Sequence, residues 1–154
     1  MEWQRARGAP PAVAGFARHR LLQAVQRPLR PSGRSDRVLR SVARAAASFM
    51  RRPVDLAARY GGGEELVLLM PDTFGEQGEQ LVTGVRLAIE QLTIAHDASV
   101  VAPVLTVSVG GATLEIKDGE SAAELLDAVD SQLYRAKHAG RNRVEWRAGS
   151  THTQ

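Results

Sequence analysis

The sequence predicts a single α/β domain in which helices cover a sheet, and three observations carry that prediction. First, 154 residues with 44% hydrophobic and 24% charged side chains are enough for one ordinary core and too few for two domains. Second, from Ser35 onward helical and strand periodicities alternate along the chain. Third, no segment repeats, which removes solenoids and propellers.

Residues 1–34 are expected to be irregular. Pro10, Pro11, Pro28 and Pro31 stand among scattered Arg and Ala with no strand alternation, and only Phe16–Val25 has a short helical pattern. From Ser35, a plausible N-cap, Val38, Leu39, Val42, Ala46 and Phe49 recur at helical spacing and predict a helix to about Met50. Leu56–Tyr60 and Leu66–Met70 are short apolar runs on either side of Gly61-Gly62-Gly63-Glu64-Glu65, the layout of a hairpin. Pro71-Asp72-Thr73 stops the second strand, and Leu81, Val82, Val85, Ala88, Ile89 and Leu92 give the next helix one apolar face. Val104–Val109 reads as a strand ending at Gly110-Gly111, with Ala112–Ile116 continuing past a bend. Ser121-Ala-Ala-Glu124 is a capping box, after which Leu125, Leu126, Val129, Leu133 and Ala136 line a helix that Gly140 stops. A short polar tail begins near Gly149, so the folded domain is expected over 35–147.

Composition narrows the function classes. The absence of cysteine excludes a disulfide scaffold, a thiolate metal site and a cysteine nucleophile, and it fits a reducing compartment. Every apolar run is interrupted by charge or proline well short of the roughly 18 to 20 residues a membrane helix needs. Arg5 and Arg7 precede an Ala-rich run, but Pro10-Pro11 and the returning charge at Arg18, His19 and Arg20 argue against a signal peptide. The net charge of +3 is unevenly spread: residues 1–44 hold ten Arg against Glu2 and Asp36 (net +8), and the rest holds ten basic and fifteen acidic residues (net −5). A basic arm can bind phosphate backbones, but this one has few aromatics for stacking and no nucleic-acid module, so no specific nucleic-acid partner is expected.

The hairpin turn carries the chemistry. Glycines let the backbone approach a ligand closely, and two adjacent carboxylates can hold Mg²⁺ bridging a nucleotide's phosphates. Alone, such a turn is more often a solvated hairpin tip. Read outward, however, Arg59-Tyr60-Gly61-Gly62-Gly63-Glu64-Glu65-Leu66 followed by Met70-Pro71-Asp72-Thr73 resembles the GGDEF family of diguanylate cyclases in its GGEEF form. Counting back from Met70-Pro71, Leu66 takes the phenylalanine position, Glu64 and Glu65 the acidic pair, Gly62 and Gly63 the glycines, and Gly61 is one extra residue. Two later motifs agree in order: Thr106-Val-Ser-Val-Gly110, and the helix running from Asp130 through Tyr134 and Lys137 to Arg141-Asn142. The resemblance runs from Asp36 to Trp146.

The resemblance implies a nucleotide-cyclase or polymerase-palm-like fold, with a central, mostly antiparallel sheet flanked by helices. It further implies a bacterial, cytoplasmic signalling domain that condenses two GTP into cyclic di-GMP across a homodimer, with Mg²⁺ or Mn²⁺ as cofactor. On that model Glu64 and Glu65 hold the metal or help activate the hydroxyl, and Gly62 and Gly63 admit the phosphates. Lys137 and Arg141, read as four apart on one helix face, hold the triphosphate, while Asp36 reads guanine. Arg52-Pro-Val-Asp55 has the RxxD form of the family's inhibitory product site, and Arg86, sixteen residues after Met70, falls where a supporting arginine lies. The alternative function is a catalytically degenerate receptor that binds cyclic di-GMP through Arg52, Asp55 and Arg86.

One stretch departs from the family. Its first strand carries a metal-binding aspartate, followed by a D.D.FK..ND..GH..GD pattern, and only the final aspartate, Asp36, has a counterpart here. No Asp, Lys or Asn precedes it after Gln4, so the first strand is expected to be missing. Joining the last two bases of each codon to the first of the next allows Arg18 to Ser32 to encode DIDFFKPYNDRYGH. Residues up to about 35 are therefore expected to be an out-of-frame remnant of the domain's first strand and helix.

Overall fold

The structure, a computed structural model, describes residues 12–18, 33–60, 65–73, 75–96, 99–114 and 122–148. In chain order the elements are β1 (Ala12–Arg18), α1 (Gly33–Ala47), β2 (Leu56–Tyr60), β3 (Glu65–Pro71), α2 (Gly75–Gln91), β4 (Ser108–Leu114), α3 (Ala122–His138) and β5 (Val144–Arg147). They form one five-stranded sheet in the order β2-β3-β1-β4-β5. All its pairings are antiparallel except β4 with β5. The expected α+β fold with a mostly antiparallel central sheet is what the chain adopts.

Helices cover the sheet on two faces because β3 alternates. Leu66, Leu68 and Met70 point to a core shared with Val42 and Ala46 of α1 and Val82, Val85 and Ile89 of α2. Val67 and Leu69 point the other way, against Leu125, Val129 and Leu133 of α3. A strand between two apolar layers needs apolar residues on both sides, and this explains the first correction to the sequence reading. The segment expected to be irregular, with its strand missing, contributes β1 at the centre of the sheet. Ala12–Arg18 pairs with a strand on each side, and an interior strand of this kind reads as a continuous apolar run, as Ala-Val-Ala-Gly-Phe-Ala does. Residues 19–32, the bulk of the expected remnant, lie outside the described residues.

A second correction concerns β4, which runs through Gly110 and Gly111 instead of ending there. A Cβ on Gly110 would meet the α3 backbone at Val129 and Leu133, and one on Gly111 would meet the Trp146 ring. These glycines serve close approach and not a turn, the other standard meaning of glycine in a strand pattern. The tightly seated α3 and Trp146 depend on them. A third difference is β5, whose four residues were read only as the domain's end. It pairs in parallel with β4, Val109 facing Val144 through Ala112 facing Arg147.

The registers give the sheet two ends. At one, β1 finishes at Arg18 where β3 begins at Glu65 and β4 begins at Ser108. At the other, Ala12 faces Pro71 and Leu114, and β2 begins at Leu56 opposite Leu69.

Candidate functional site

Four of the residues singled out from the sequence gather at the Glu65 end. Glu65 opens β3, half-buried, with Tyr60 and Arg18 as its neighbours across the two flanking strands. Residues 61–64, and with them Gly62, Gly63 and Glu64, lie outside the described residues. Asp36 stands exposed in the first turn of α1, where its charge favours the helix dipole. With Leu39, Arg40 and Ala43 of the same helix and Arg59 of β2 it lines a cleft of about 190 Å³. That volume is below the roughly 300 Å³ of a typical small-molecule pocket.

The remaining two come from the end of α3. Lys137 is half-buried in the helix's last turn, and Arg141 is exposed in the loop beyond it. The geometry differs from the expected shared helix face. The helix ends at His138, the Arg141 amide donates to the Ala136 carbonyl at 3.0 Å, and Gly140 takes φ 109°. This closing bond over an intervening left-handed glycine is a Schellman stop. Arg141 and Asn142 also have positive φ, 60° and 45°, so three successive residues are left-handed. For non-glycine residues that conformation costs roughly 1 to 2 kcal/mol each, and strain of this kind concentrates at ligand sites. The Val109 amide donates to the Arg143 carbonyl at 2.9 Å and fixes the loop to the start of β4, at the Glu65 end.

Arg86 serves this loop. Its guanidinium donates to Asn142 Oδ1 at 2.7 Å and pairs with Glu90 at 2.9 Å, while Asn142 Nδ2 donates to Glu90 Oε1 at 3.0 Å. The sequence groups Arg86 with Arg52 and Asp55, and among the described residues its side-chain partners are Glu90 and Asn142. Arg52 and Asp55 lie by Pro71, whereas Arg86 is eleven residues into α2, about 16 Å along it. The contributions of Glu90 and Asn142 were not anticipated. Asn142 stands inside the quoted motif, but only the fold shows that it answers an arginine 56 residues earlier.

At the Pro71 end the RxxD pair is closed. Arg52 Nε and Nη2 donate to Asp55 Oδ1 at 3.0 and 2.7 Å, and the Arg52 amide donates to Oδ2 at 3.0 Å. The same guanidinium reaches the Pro71 carbonyl and Thr73 Oγ1, each at 2.6 Å, and the Asp72 carbonyl at 3.3 Å. Asp72 is itself left-handed, φ 56°. Burial would push the Asp55 carboxyl up, but the hydrogen bonds from the Arg52 side chain and amide outweigh it and hold the group below the ordinary carboxylate range. The hydrogen bond to Asp55 in turn raises Arg52.

Metal-binding chemistry rests on few groups. Among the described residues no cluster of three or more His, Asp or Glu side chains could hold an ion. None of those described residues forms a helix long and apolar enough to cross a membrane.

The α/β/α layers thus carry Glu65, the Asp36 cleft and the loop after α3 at one end of the sheet. The family model described as diguanylate cyclase, GGDEF domain, matches residues 32–143, and the chain belongs to the GGDEF family. Diguanylate cyclase DgcM of Escherichia coli is 40% identical over 111 residues, 72% of this chain and 25% of that protein. Response regulator PleD of Caulobacter vibrioides is 34% identical over 115 residues, 73% of this chain and 24% of its own length. The chain thus spans about a quarter of the length of these curated relatives. The crystal structure of the GGDEF domain of DgcB from Caulobacter crescentus, in complex with c-di-GMP, is similar in fold. Its TM-score is 0.74 at 24% identity, over 88% of this chain and 77% of that one.

Proposed function

We propose that the chain is the catalytic domain of a diguanylate cyclase, which condenses two GTP into cyclic di-GMP and releases two pyrophosphates. The observation that carries this reading is the convergence of Asp36 in its cleft, Glu65, Lys137 and the Arg141 loop on one end of the sheet. Asp36 accepts the amino and ring N–H donors of guanine. Lys137 and Arg141 hold the triphosphate, the first as a point charge and the second as a fork of donors. Glu64 and Glu65 form a carboxylate pair of the kind that binds Mg²⁺ together with phosphate oxygens, so the donor set fits that ion or Mn²⁺. When bound, the metal would neutralise charge developing on the phosphates. The ribose 3′-hydroxyl of one GTP attacks the α-phosphorus of the other, Glu65 accepts the hydroxyl proton, and the bond to the β-phosphate oxygen breaks. Repeating this in the opposite sense closes the ring, which calls for two copies of the domain, each bringing one GTP. The working compartment on this reading is the cytoplasm.

Incubating the chain with GTP and Mg²⁺ tests the reading directly. Cyclic di-GMP and pyrophosphate should form in a ratio of one to two, and Glu65→Gln should abolish both while GTP still binds. GTP binding without product in the unsubstituted chain would defeat the catalytic reading.

One observation favours the second reading, a degenerate cyclic di-GMP receptor acting through Arg52, Asp55 and Arg86. β1 brings no carboxylate to the Glu65 end, and Arg18 is the residue across from Glu65. Equilibrium binding separates the two: a receptor prefers cyclic di-GMP to GTP with Mg²⁺ and loses it on Arg52→Ala. The out-of-frame reading bears on the same point. It covers residues up to about 35, and resequencing the coding DNA through codons 1 to 36 tests it. An in-frame reading that restores an aspartate, a lysine and an asparagine supports the active enzyme, and DNA that forbids it removes the idea.

A further inference from the structure

We infer that Arg40 is a specificity-determining residue of the Asp36 cleft, reading the half of the guanine edge that Asp36 cannot. The inference rests on the guanine-binding role given to Asp36 above. Asp36, Leu39, Arg40 and Ala43 form one stripe of α1 facing Arg59 of β2. An Asp four residues before an Arg is a favourable arrangement for a helix ion pair. Yet among the described residues Asp36 and Arg40 form no such pair, and neither has another hydrogen-bonded or ionic partner there. Two opposite charges that border one cleft and leave each other free are arranged for something that lies between them.

Guanine fits that arrangement chemically. Along one edge it presents two donors, the exocyclic amino group and the ring N–H, and then two acceptors, the oxo oxygen and the imidazole nitrogen. A carboxylate can only accept and a guanidinium can only donate, each in a planar pair. Asp36 therefore takes the donor half and Arg40 the acceptor half. Residues four apart on a helix have Cβ atoms roughly 5–6 Å apart, a spacing that lets both reach a single purine edge. Leu39 and Ala43 give the ring an apolar wall. Adenine carries an amino donor where guanine has its oxo acceptor, so it would meet Arg40 with the wrong polarity.

The test is equilibrium binding of GTP, ITP, 7-deaza-GTP and ATP to the full chain with Mg²⁺. ITP lacks the amino group that Asp36 reads, and 7-deaza-GTP lacks the ring nitrogen that Arg40 reads. The unsubstituted chain should bind GTP more tightly than any of the others. Arg40→Ala should weaken GTP on the order of 10- to 100-fold and erase the GTP over 7-deaza-GTP preference, while keeping the GTP over ITP preference. Asp36→Asn should do the reverse. Since Arg40 is exposed and partnerless, the melting temperature of Arg40→Ala should be unchanged, which separates this outcome from unfolding. If Asp36→Asn weakens GTP and Arg40→Ala leaves affinity and preference alone, the inference fails and the guanine role of Asp36 stands. If GTP binding ignores both substitutions, or does not occur, the guanine reading of the cleft fails and the inference with it.

Discussion

Two pairs of opposite charges, each separated by one turn of chain, behave differently at the two ends of the sheet. Arg52 at the Pro71 end makes four hydrogen bonds to Asp55, to the last residue of β3 and to Thr73 beyond it, each at 3.0 Å or less, through the guanidinium alone. Their carboxylate side chain is 5% exposed. Asp36 and Arg40 at the Glu65 end are exposed and make no ion pair among the described residues. A buried carboxylate without a partner is costly, so the first pair has to close, and in closing it ties the β2 approach to the turn after β3. The second pair stays solvated and spends nothing on the fold. Charge that is satisfied internally marks scaffold, and charge held open beside a cleft marks a place where a ligand completes the hydrogen bonding.

Removing the closed pair should give the largest effect. Asp55→Ala removes the carboxylate partner of Arg52 and leaves a buried site without its acceptor, and it should cost about 2–3 kcal/mol in urea unfolding, the low end for a buried pair because Arg52 is half-exposed. GTP affinity should be unchanged. The pH dependence has a defined sign. The folded state holds the Asp55 carboxyl below its ordinary value, so the stabilisation is present above about pH 4 and is lost as pH falls through the depressed folded value. The urea midpoint of the unsubstituted chain should fall in that acid window, and that of Asp55→Asn should start lower and fall less. Parallel acid profiles would remove Asp55 as the titrating group.

Arg86→Ala should have an intermediate effect, with consequences at the site. It leaves Glu90 and Asn142 only their bond to each other and should cost about 1–2 kcal/mol of stability. Because Asn142 adjoins Arg141, GTP binding should weaken about tenfold as well, whereas Arg86→Lys, which keeps the charge, should recover part of both. Loss of stability with GTP affinity intact would detach Arg86 from the Glu65 end.

The fold was legible where periodicity or turn residues mark an element and hidden where neither does. The hairpin, α1, α2 and α3 announce themselves through period and punctuation, and the acidic turn and the Lys137 to Asn142 motif were visible as residues. β1 was not, because Ala-Val-Ala-Gly-Phe-Ala shows no alternation and Pro10-Pro11 before it reads as disruption. Gly110-Gly111 was misread for a related reason. The demand on those positions comes from α3 and Trp146, distant in sequence, and nothing local distinguishes close approach from a turn. The site shows the same division: single residues such as Asp36 and Arg141 could be named, but the Arg86–Glu90–Asn142 network and the self-closure of Arg52 are tertiary facts.

Arg141→Gly should produce the smallest change in stability and the most discriminating one, since it is expected to be positive. Arg141 holds φ 60°, a conformation that costs a residue with a Cβ roughly 1 kcal/mol and costs glycine none. Its side chain is exposed and contributes no hydrogen bond that the fold would lose. Replacing it should therefore raise unfolding stability by up to about 1 kcal/mol, offset in part by the greater freedom of glycine in the unfolded chain. The same substitution removes the fork of donors proposed for the triphosphate and should weaken GTP binding on the order of tenfold. A residue that destabilises the protein and tightens a ligand is kept for the ligand. If Arg141→Gly instead lowers stability and leaves GTP affinity alone, the left-handed arginine belongs to the scaffold, and the contrast between the two ends of the sheet loses its clearest member.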